Sequence, residues 1–198
     1  MPERPTTKAA QRERTVQSLI VAGRELFTER GYAHTSTADL VERAGVTRGA
    51  LYHHFKDKQD LFVAVLGAVQ AEVAVRVELA ASQGADPWAQ LRLGCQAFMR
   101  ASLDPEVRRI MLLDGPAVVG WRVWRDLDQA HAVRSLREGL LALQKIGELR
   151  DVPLGASVHL LSGAMNEAAL WIAQSPQPDA ALAEAGEALD VLLESLRA

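Results

Sequence analysis

The chain has 198 residues, a formal net charge of −3 and 48% apolar residues. This composition excludes a mostly disordered chain, and the length allows one or two domains that bury a core. No apolar run approaches the ~20 residues of a membrane-spanning helix and no secretory leader is recognisable, so we expect a cytoplasmic protein without a membrane partner.

Charged residues are unevenly divided along the chain. Residues 1–60 hold 10 Lys and Arg against 8 Asp and Glu, whereas residues 61–198 hold 12 against 17. The basic excess lies near the start, at Arg4, Lys8, Arg12 and Arg14. A basic arm before a helix can lie along phosphates, and a solvated tail is the alternative.

Apolar residues at three- and four-residue steps predict an all-α fold of about nine helices, with no convincing strand. The predicted helices cover residues 8–30, 36–44, 47–55, 58–81, 87–101, 104–113, 121–146, 154–174 and 179–196. Asp114, Gly115 and Pro116 are expected to interrupt the helical pattern, and Gly120 marks a second weak point.

The second and third predicted helices form a helix-turn-helix over residues 36–55. Ser36 is placed to cap the first of them, with Asp39 as an acidic variant of the capping box. Gly45 supplies the backbone freedom that ends this helix, and Thr47 can cap the next one.

One face of the second helix in this pair combines Arg48, Gly49, Tyr52 and His53 without an acidic residue. Such a face suits an anionic surface, and a glycine lets a helix approach its partner closely, as in the major groove of DNA. A purely structural helical corner with a solvated outer face is the alternative.

These stretches resemble a known family of bacterial regulators. Residues 20–32 read IVAGRELFTERGY, residues 35–37 read TST, residues 44–55 read AGVTRGALYHHF and residues 56–62 read KDKQDLF. Together they are similar to the DNA-binding region of the TetR family of transcriptional regulators. The resemblance implies a DNA-binding domain over residues 1–60 and a helical domain for effector binding and dimerisation over residues 61–198.

The resemblance also implies which side chains meet an operator. By match to the family's motif, the candidates for DNA contact are Thr37, Thr47, Arg48, Gly49, Tyr52, His53, His54 and Lys58. Arg48, Gly49 and Tyr52 are the candidates for base edges or close approach. His54 lies toward the core side of its helix, where a packing role competes with a phosphate contact.

The second half of the chain holds most of the bulky and polarizable side chains. An apolar cavity with a few polar groups is typical of a small-molecule site, and the resemblance implies an effector pocket here. The candidates for this pocket are Trp88, Cys95, Phe98, Met99, Met111, Trp121, Trp124, His131, Met165, Asn166 and Trp171. Ordinary core packing is the alternative for each of them.

Charges cluster on the helix predicted over residues 121–146. Arg122 and Asp126 are four residues apart, and Asp128 and His131 are three apart, which is the spacing of surface ion pairs. A charged pocket for an acidic effector is the alternative interpretation.

The last two predicted helices carry apolar stripes wider than one protomer requires. Leu161, Met165, Leu189 and Leu193 belong to these stripes, which include many alanines. Two such helices from each protomer would form a four-helix dimer interface, as in the family. Packing within one chain is the alternative.

The sequence therefore favours a homodimeric, ligand-responsive transcriptional repressor that binds a palindrome-like operator in double-stranded DNA and is released by a small-molecule effector. An enzyme is disfavoured, because no metal-binding, nucleophile or phosphate-loop motif is present, and no cofactor or metal is expected. The alternative is a helical protein–protein interaction module without a DNA role.

Overall fold

The computed structural model describes residues 7–198, so the predicted basic position Arg4 lies outside the described residues. Nine α-helices follow one another in this part of the chain, which confirms the predicted all-α fold. They are α1 (Thr7–Arg30), α2 (Thr37–Ala44), α3 (Arg48–His54), α4 (Lys58–Ala81), α5 (Pro87–Arg100), α6 (Gly115–Ala130), α7 (Ala132–Lys145), α8 (Leu154–Gln174) and α9 (Pro178–Glu194). A 3₁₀ turn (Ala101–Leu103) and a π-helical stretch (Val107–Asp114) connect α5 to α6.

Side-chain caps start the four helices α2 to α5. Asp57 accepts a hydrogen bond from the Asp60 N–H at 2.8 Å and starts α4. Asp86 accepts one from the Ala89 N–H at 2.8 Å, and Pro87 occupies the first turn of α5. These bonds satisfy N–H groups that would otherwise lack a partner at the start of a helix.

The prediction of a single helix over residues 121–146 is wrong. The backbone leaves the helical region at His131, with φ −121° and ψ −98°, and divides this stretch into α6 and α7. The break lets α7 turn back and pack against α5 and α8. At Gly120, where the sequence predicts a weak point, φ is +79° and α6 is kinked.

The first three helices and the start of α4 share one core. Phe27, Leu40, Leu51 and Phe62 are completely buried. The rings of Phe27 and Phe62 meet edge to face with centroids 5.2 Å apart, and Tyr32 packs on both. Because this core holds α2 and α3 against α1 and α4, the helix-turn-helix has a fixed orientation.

The first three helices and the start of α4 form a first unit. The long helix α4 continues from this first unit into the second half of the chain. The buried stripe of α4 runs from Leu61 to Val77 and packs on α1 at one end and on α5, α6 and α7 farther along. The predicted domain boundary between residues 60 and 61 therefore falls inside a continuous helix. None of the described helices has both the length and the apolar composition needed to cross a lipid bilayer.

Candidate functional site

The turn between α2 and α3 has the geometry that the capping signals predict. The Asp39 N–H donates to Ser36 Oγ at 3.1 Å, and the Ser36 N–H donates to the Asp39 carboxylate at 2.8 Å, which completes the capping box. The Ser36 hydroxyl also donates to the Asp39 carboxylate at 2.7 Å, and this bond, followed by the one from the Ser36 N–H, lowers the pKa of Asp39. Gly45 ends α2 in the left-handed region with φ +65°, and α3 then starts at a new angle.

The outer face of α3 is exposed and carries no acidic side chain. Arg48, Gly49, Tyr52 and His53 are all exposed, and Tyr52 keeps 46% of its surface in contact with solvent. The Arg48 guanidinium lies 5.9 Å from the centre of the Tyr52 ring. Arg48, and after it Thr37, lowers the pKa of the Tyr52 phenol.

Gly49 has no packing reason to be a glycine. A Cβ added there would meet only Thr47 Oγ1, at 3.9 Å, and the residue is helical. A glycine in a helix costs about 1 kcal/mol relative to alanine. The missing side chain therefore opens the outer surface of α3 without serving the interior.

Thr37 and Thr47 lie at the beginnings of the two helices. Thr47 Oγ1 accepts a hydrogen bond from the Ala50 N–H at 3.2 Å, so its hydroxyl proton remains free to donate outward. Thr37 is half-buried beside Tyr52. Both side chains are close to the face formed by Arg48 and Tyr52.

Lys58 is in a different situation from the other candidates for DNA contact. Its ammonium donates to the carbonyl oxygens of Tyr32 and Thr35, both at 2.9 Å, and lies 3.9 Å from the centre of the Tyr32 ring. Burial lowers the pKa of Lys58. The structure thus places this charge on the loop between α1 and α2.

The two neighbouring histidines of α3 differ in exposure. His53 is exposed, whereas His54 is half-buried and its Nδ1 has no hydrogen-bond partner among the described residues. Burial, followed by the charges of His53 and Arg12, lowers the pKa of His54. His54 therefore lies at the edge of the exposed face, partly packed beneath it.

The start of α6 is joined to this first unit. The Tyr32 N–H donates to Asp114 Oδ2 at 2.7 Å, and Arg109 Nε donates to the same oxygen at 3.2 Å. Gln59, in the first turn of α4, donates to the Val118 carbonyl at 3.1 Å. The end of the π-helical stretch and the start of α6 therefore contact the first unit beside the helix-turn-helix.

A cavity of about 320 Å³ lies in the second half, between α4, α5, α7, α8 and the end of α6. Its walls are largely apolar and include Leu91, Phe98, Leu136 and Met165. Because α6 reaches this cavity at one end and the first unit at the other, one helix touches both regions.

Asp128 is the most buried polar group that lines the cavity. It is only 1% exposed and forms an ion pair with Arg125 at 2.7 Å. Asn166 Nδ2 also donates to it at 3.0 Å, while Arg125 donates to Ser162 Oγ at 2.8 Å. Burial raises the pKa of Asp128, against the opposing effect of these donors. The interpretation of Asp128 as half of a surface ion pair is therefore wrong.

The structure brings three of the eleven predicted pocket residues to the cavity, namely Cys95, Phe98 and Met165. Asn166 does not line the cavity but donates a hydrogen bond to Asp128, which does. The residues outside the cavity lining are Trp88, Met99, Met111, Trp121, Trp124, His131, Asn166 and Trp171. Trp121 is 63% exposed, and Trp124 donates to the Met111 carbonyl at 2.8 Å beside the start of α6.

Most of the residues that line the cavity are not among the predicted pocket residues. Val77, Leu91 and Leu136 belong to ordinary apolar stripes, which cannot be distinguished from core positions by spacing alone. A usable signal was present in α8, where Ser162 and Asn166 interrupt an otherwise apolar buried stripe. Buried polar groups require partners, so such interruptions indicate a polar cluster.

The outer faces of α8 and α9 are apolar and exposed. Leu160 is 74% exposed, and Trp171, Val191 and Leu192 are also exposed. Gly163 lies on the same face of α8, where an added Cβ would meet no atom within 4 Å. An exposed apolar patch of this kind is typical of a protein–protein interface. Residues 7–198 contain no cluster of His, Cys, Asp and Glu that could hold a metal ion.

Comparison with known families identifies both halves of the chain. Residues 19–65 match the model described as bacterial regulatory proteins of the tetR family. Residues 88–196 match the tetracyclin repressor-like C-terminal domain, which covers more than half of the chain. The first match contains the helix-turn-helix, and the second contains α5–α9.

Individual relatives agree with this assignment. A TetR-family transcriptional regulator from Pectobacterium atrosepticum has a solved structure that covers 98% of both chains, with 37% identity and a TM-score of 0.83. The Transposon Tn10 TetC protein of Escherichia coli is 30% identical over 153 residues, which are 75% of each chain. The regulator AcrR of Shigella flexneri is 33% identical over 110 residues, 55% of this chain and 50% of AcrR.

The match to AcrR thus spans about half the length of that relative. The two family models and the full-length structural similarity nevertheless cover nearly the whole chain. The chain belongs to the TetR family of bacterial transcriptional regulators.

Proposed function

We propose that the chain is a homodimeric, ligand-responsive repressor that acts in the cytoplasm and binds a palindrome-like operator through α3. The observation that carries this proposal is the exposed, acid-free face of Arg48, Gly49, Tyr52 and His53. Arg and Tyr side chains can donate to phosphates and base edges, and Gly49 permits close approach to the major groove.

The exposed faces of α8 and α9 support a homodimer. Leu160, Gly163 and Trp171 on α8 and Val191 and Leu192 on α9 provide an apolar surface with room for a second copy. An isologous contact of two helices from each protomer would form a four-helix interface. A two-fold dimer would then present two α3 helices to successive turns of the operator.

The position of α6 supports a response to a ligand. Val118 near its start and Asp114 just before it contact the first unit, and its end carries Asp128 to the cavity. A ligand that binds better to one arrangement of α6 shifts the population toward that arrangement. We propose that the ligand-bound arrangement changes the spacing of the two α3 helices and releases the operator.

Fluorescence anisotropy tests the DNA-binding part of this proposal. The purified protein is titrated into labelled DNA that flanks its own coding sequence, at two salt concentrations and with excess unrelated DNA. We expect saturable binding that survives the competitor and weakens steeply with salt, by about 10³-fold or more between 50 and 200 mM for six phosphate contacts. Failure to bind any DNA at low salt would contradict the proposal and favour a helical interaction module.

A further inference from the structure

The cavity between α4, α5, α7, α8 and the end of α6 has a one-sided charge. Its lining includes the carboxylates of Glu78, Asp128 and Glu138 and contains no lysine, arginine or histidine. Glu78 and Glu138 are exposed, which places them at the opening, whereas Asp128 is buried. Arg125 pairs with Asp128 from outside the lining, so the two exposed carboxylates remain without a compensating cation in the cavity wall.

At the buried end, Ser162 Oγ already accepts from Arg125, whereas the Asp128 carboxylate has one oxygen that accepts no hydrogen bond from the described residues. Arg125 and Asn166 both donate to Oδ2 of Asp128, and no described residue donates to Oδ1. Behind the cavity lining, the Asn166 Oδ1 atom is buried without a hydrogen-bond partner among the described residues. A ligand that brings an N–H group to this end can therefore donate to the open Oδ1 of Asp128. A ligand carboxylate would instead add another acceptor and another negative charge.

Most of the remaining wall is apolar and suits a hydrocarbon body, with Ser82, Gln90, Ser135 and Ser162 as its neutral polar members. Phe98, Leu136 and Met165 line the cavity, whose volume of about 320 Å³ lies at the lower end of the range for small-molecule sites. We propose that the cavity binds an apolar amine, with its ammonium group donating to Asp128 Oδ1 and its hydrocarbon body against Phe98, Leu136 and Met165. The acidic-effector alternative is disfavoured by the same lining. This inference rests on the proposed function in taking the cavity as the effector site.

Isothermal titration calorimetry with three naphthalene probes of similar size tests the inference. Naphthylmethylamine is a cation, naphthylmethanol is a neutral donor and naphthoate is an anion at pH 7. We expect the amine to bind at least about tenfold more tightly than naphthoate, because only the amine brings a charge-assisted donor. The alcohol should lie between them.

Two variants and a control locate the amine. Asp128→Asn removes the buried carboxylate and should weaken amine binding about tenfold without weakening naphthoate. Because that change also leaves Arg125 with a weaker partner, the double variant Glu78→Gln/Glu138→Gln tests the exposed carboxylates without altering the core. This double variant should bind the amine more weakly than the wild type does, and added salt should reduce the difference. Asp126→Asn, an exposed carboxylate on α6 outside the lining, should leave all three affinities unchanged.

Three results would overturn the inference: equal affinity for the amine and naphthoate, an unchanged amine affinity in folded Asp128→Asn, or no binding of any probe at millimolar concentration. Because the titration contains no DNA, it fails or succeeds independently of operator binding. If the amine binds in the cavity but does not release DNA in the anisotropy assay, the ligand response in the proposed function fails and the cavity assignment stands.

Discussion

Lys58 shows how one side chain can hold the α1–α2 connection in place. Its ammonium joins the carbonyls of Tyr32 and Thr35, which lie at opposite ends of a sharp bend before α2. The Tyr32 ring covers the same ammonium at 3.9 Å. These contacts fix the position from which α2 starts. A phosphate contact by Lys58 remains a prediction, and it would require the ammonium to leave these partners or to share them.

Lys58→Met tests this role because methionine retains much of the side-chain length and removes the ammonium. The Thr35 carbonyl loses its donor and the Tyr32 carbonyl keeps only the Thr35 N–H at 3.3 Å, so the free energy of unfolding should fall by about 1–3 kcal/mol. Urea denaturation measures the change. The control Lys56→Met alters an exposed side chain and should stay within about 0.5 kcal/mol of the wild type. Equal stabilities of the two variants would contradict the role assigned to Lys58.

The residues of the α3 face could be predicted from sequence, and the environment of Lys58 could not. Ser36, Asp39, Gly45 and Thr47 act within three residues of their partners, so their roles follow from local spacing. Lys58 contacts carbonyls 23 and 26 residues earlier in the chain. Only the packed fold brings such partners together.

At the scale of elements, an ion-pair cluster connects α1 to α4 and to the segment before the π-helical stretch. Arg24 on α1 donates to Glu106 at 2.8 and 2.6 Å and to Glu72 on α4 at 2.7 Å. The hydrogen bond from Arg24 lowers the pKa of Glu72. Ion pairs as well as apolar packing therefore hold the first unit against the second half of the chain.

This cluster makes part of the stability dependent on pH. Because the folded-state pKa of Glu72 lies below its ordinary value of about 4.3, its stabilising effect is complete above that value. The effect is lost as the pH falls through the lowered pKa. Glu72→Gln should therefore be less stable than the wild type at pH 7, by no more than about 1 kcal/mol because Glu72 is exposed.

Urea denaturation of the wild type and Glu72→Gln over pH 7 to pH 3 measures this dependence. The difference between the two proteins should shrink as the pH falls below about 4. Glu42→Gln is a suitable control, since Glu42 is exposed and forms no ion pair with the residues described. A difference for Glu72→Gln that is the same at both ends of the pH range would contradict the assignment.

Helix boundaries differ in how far the sequence determines them. The starts of α4 and α5 follow from Asp57, Asp86 and Pro87, which cap or initiate helices by local bonds. The break at His131 contains neither glycine nor proline, so the local sequence does not predict it. The break is coupled to tertiary structure, because α7 packs back on α5 and α8 while Asp128 stays buried.

At the scale of the whole molecule, the proposed dimer accounts for the apolar surface that one protomer leaves exposed. Leu160→Glu should place charge in the interface and convert the dimer to a monomer at micromolar concentration, because a desolvated carboxylate without a partner is costly. Sedimentation velocity measures the change in mass. Within the protomer Leu160 is 74% exposed, so the helical content should not change.

Leu79→Glu provides the matched control for the dimer. Leu79 is 63% exposed on α4 and is not part of the exposed faces of α8 and α9, so its replacement should leave the dimer intact. Dissociation by both variants, or by neither, would contradict an interface formed by α8 and α9.

The two candidate sites differ in what sequence alone can provide. The α3 face is continuous in the chain, so helical spacing suffices to group Arg48, Gly49, Tyr52 and His53. The cavity is assembled from five helices, and its lining depends on how they pack. Aromatic and methionine residues such as Met99 and Trp124 are buried in the core and do not line the cavity.

The central claim is that the exposed face of α3 binds the operator, and one comparison tests it most directly. Anisotropy titrations of the flanking DNA are carried out with the wild type, Arg48→Ala and the control Arg137→Ala, an exposed arginine on α7. We predict that Arg48→Ala weakens specific binding at least about tenfold, as expected for loss of a base or phosphate contact, while Arg137→Ala binds as the wild type does. Unchanged affinity of a folded, dimeric Arg48→Ala would contradict the assignment of α3 as the recognition helix.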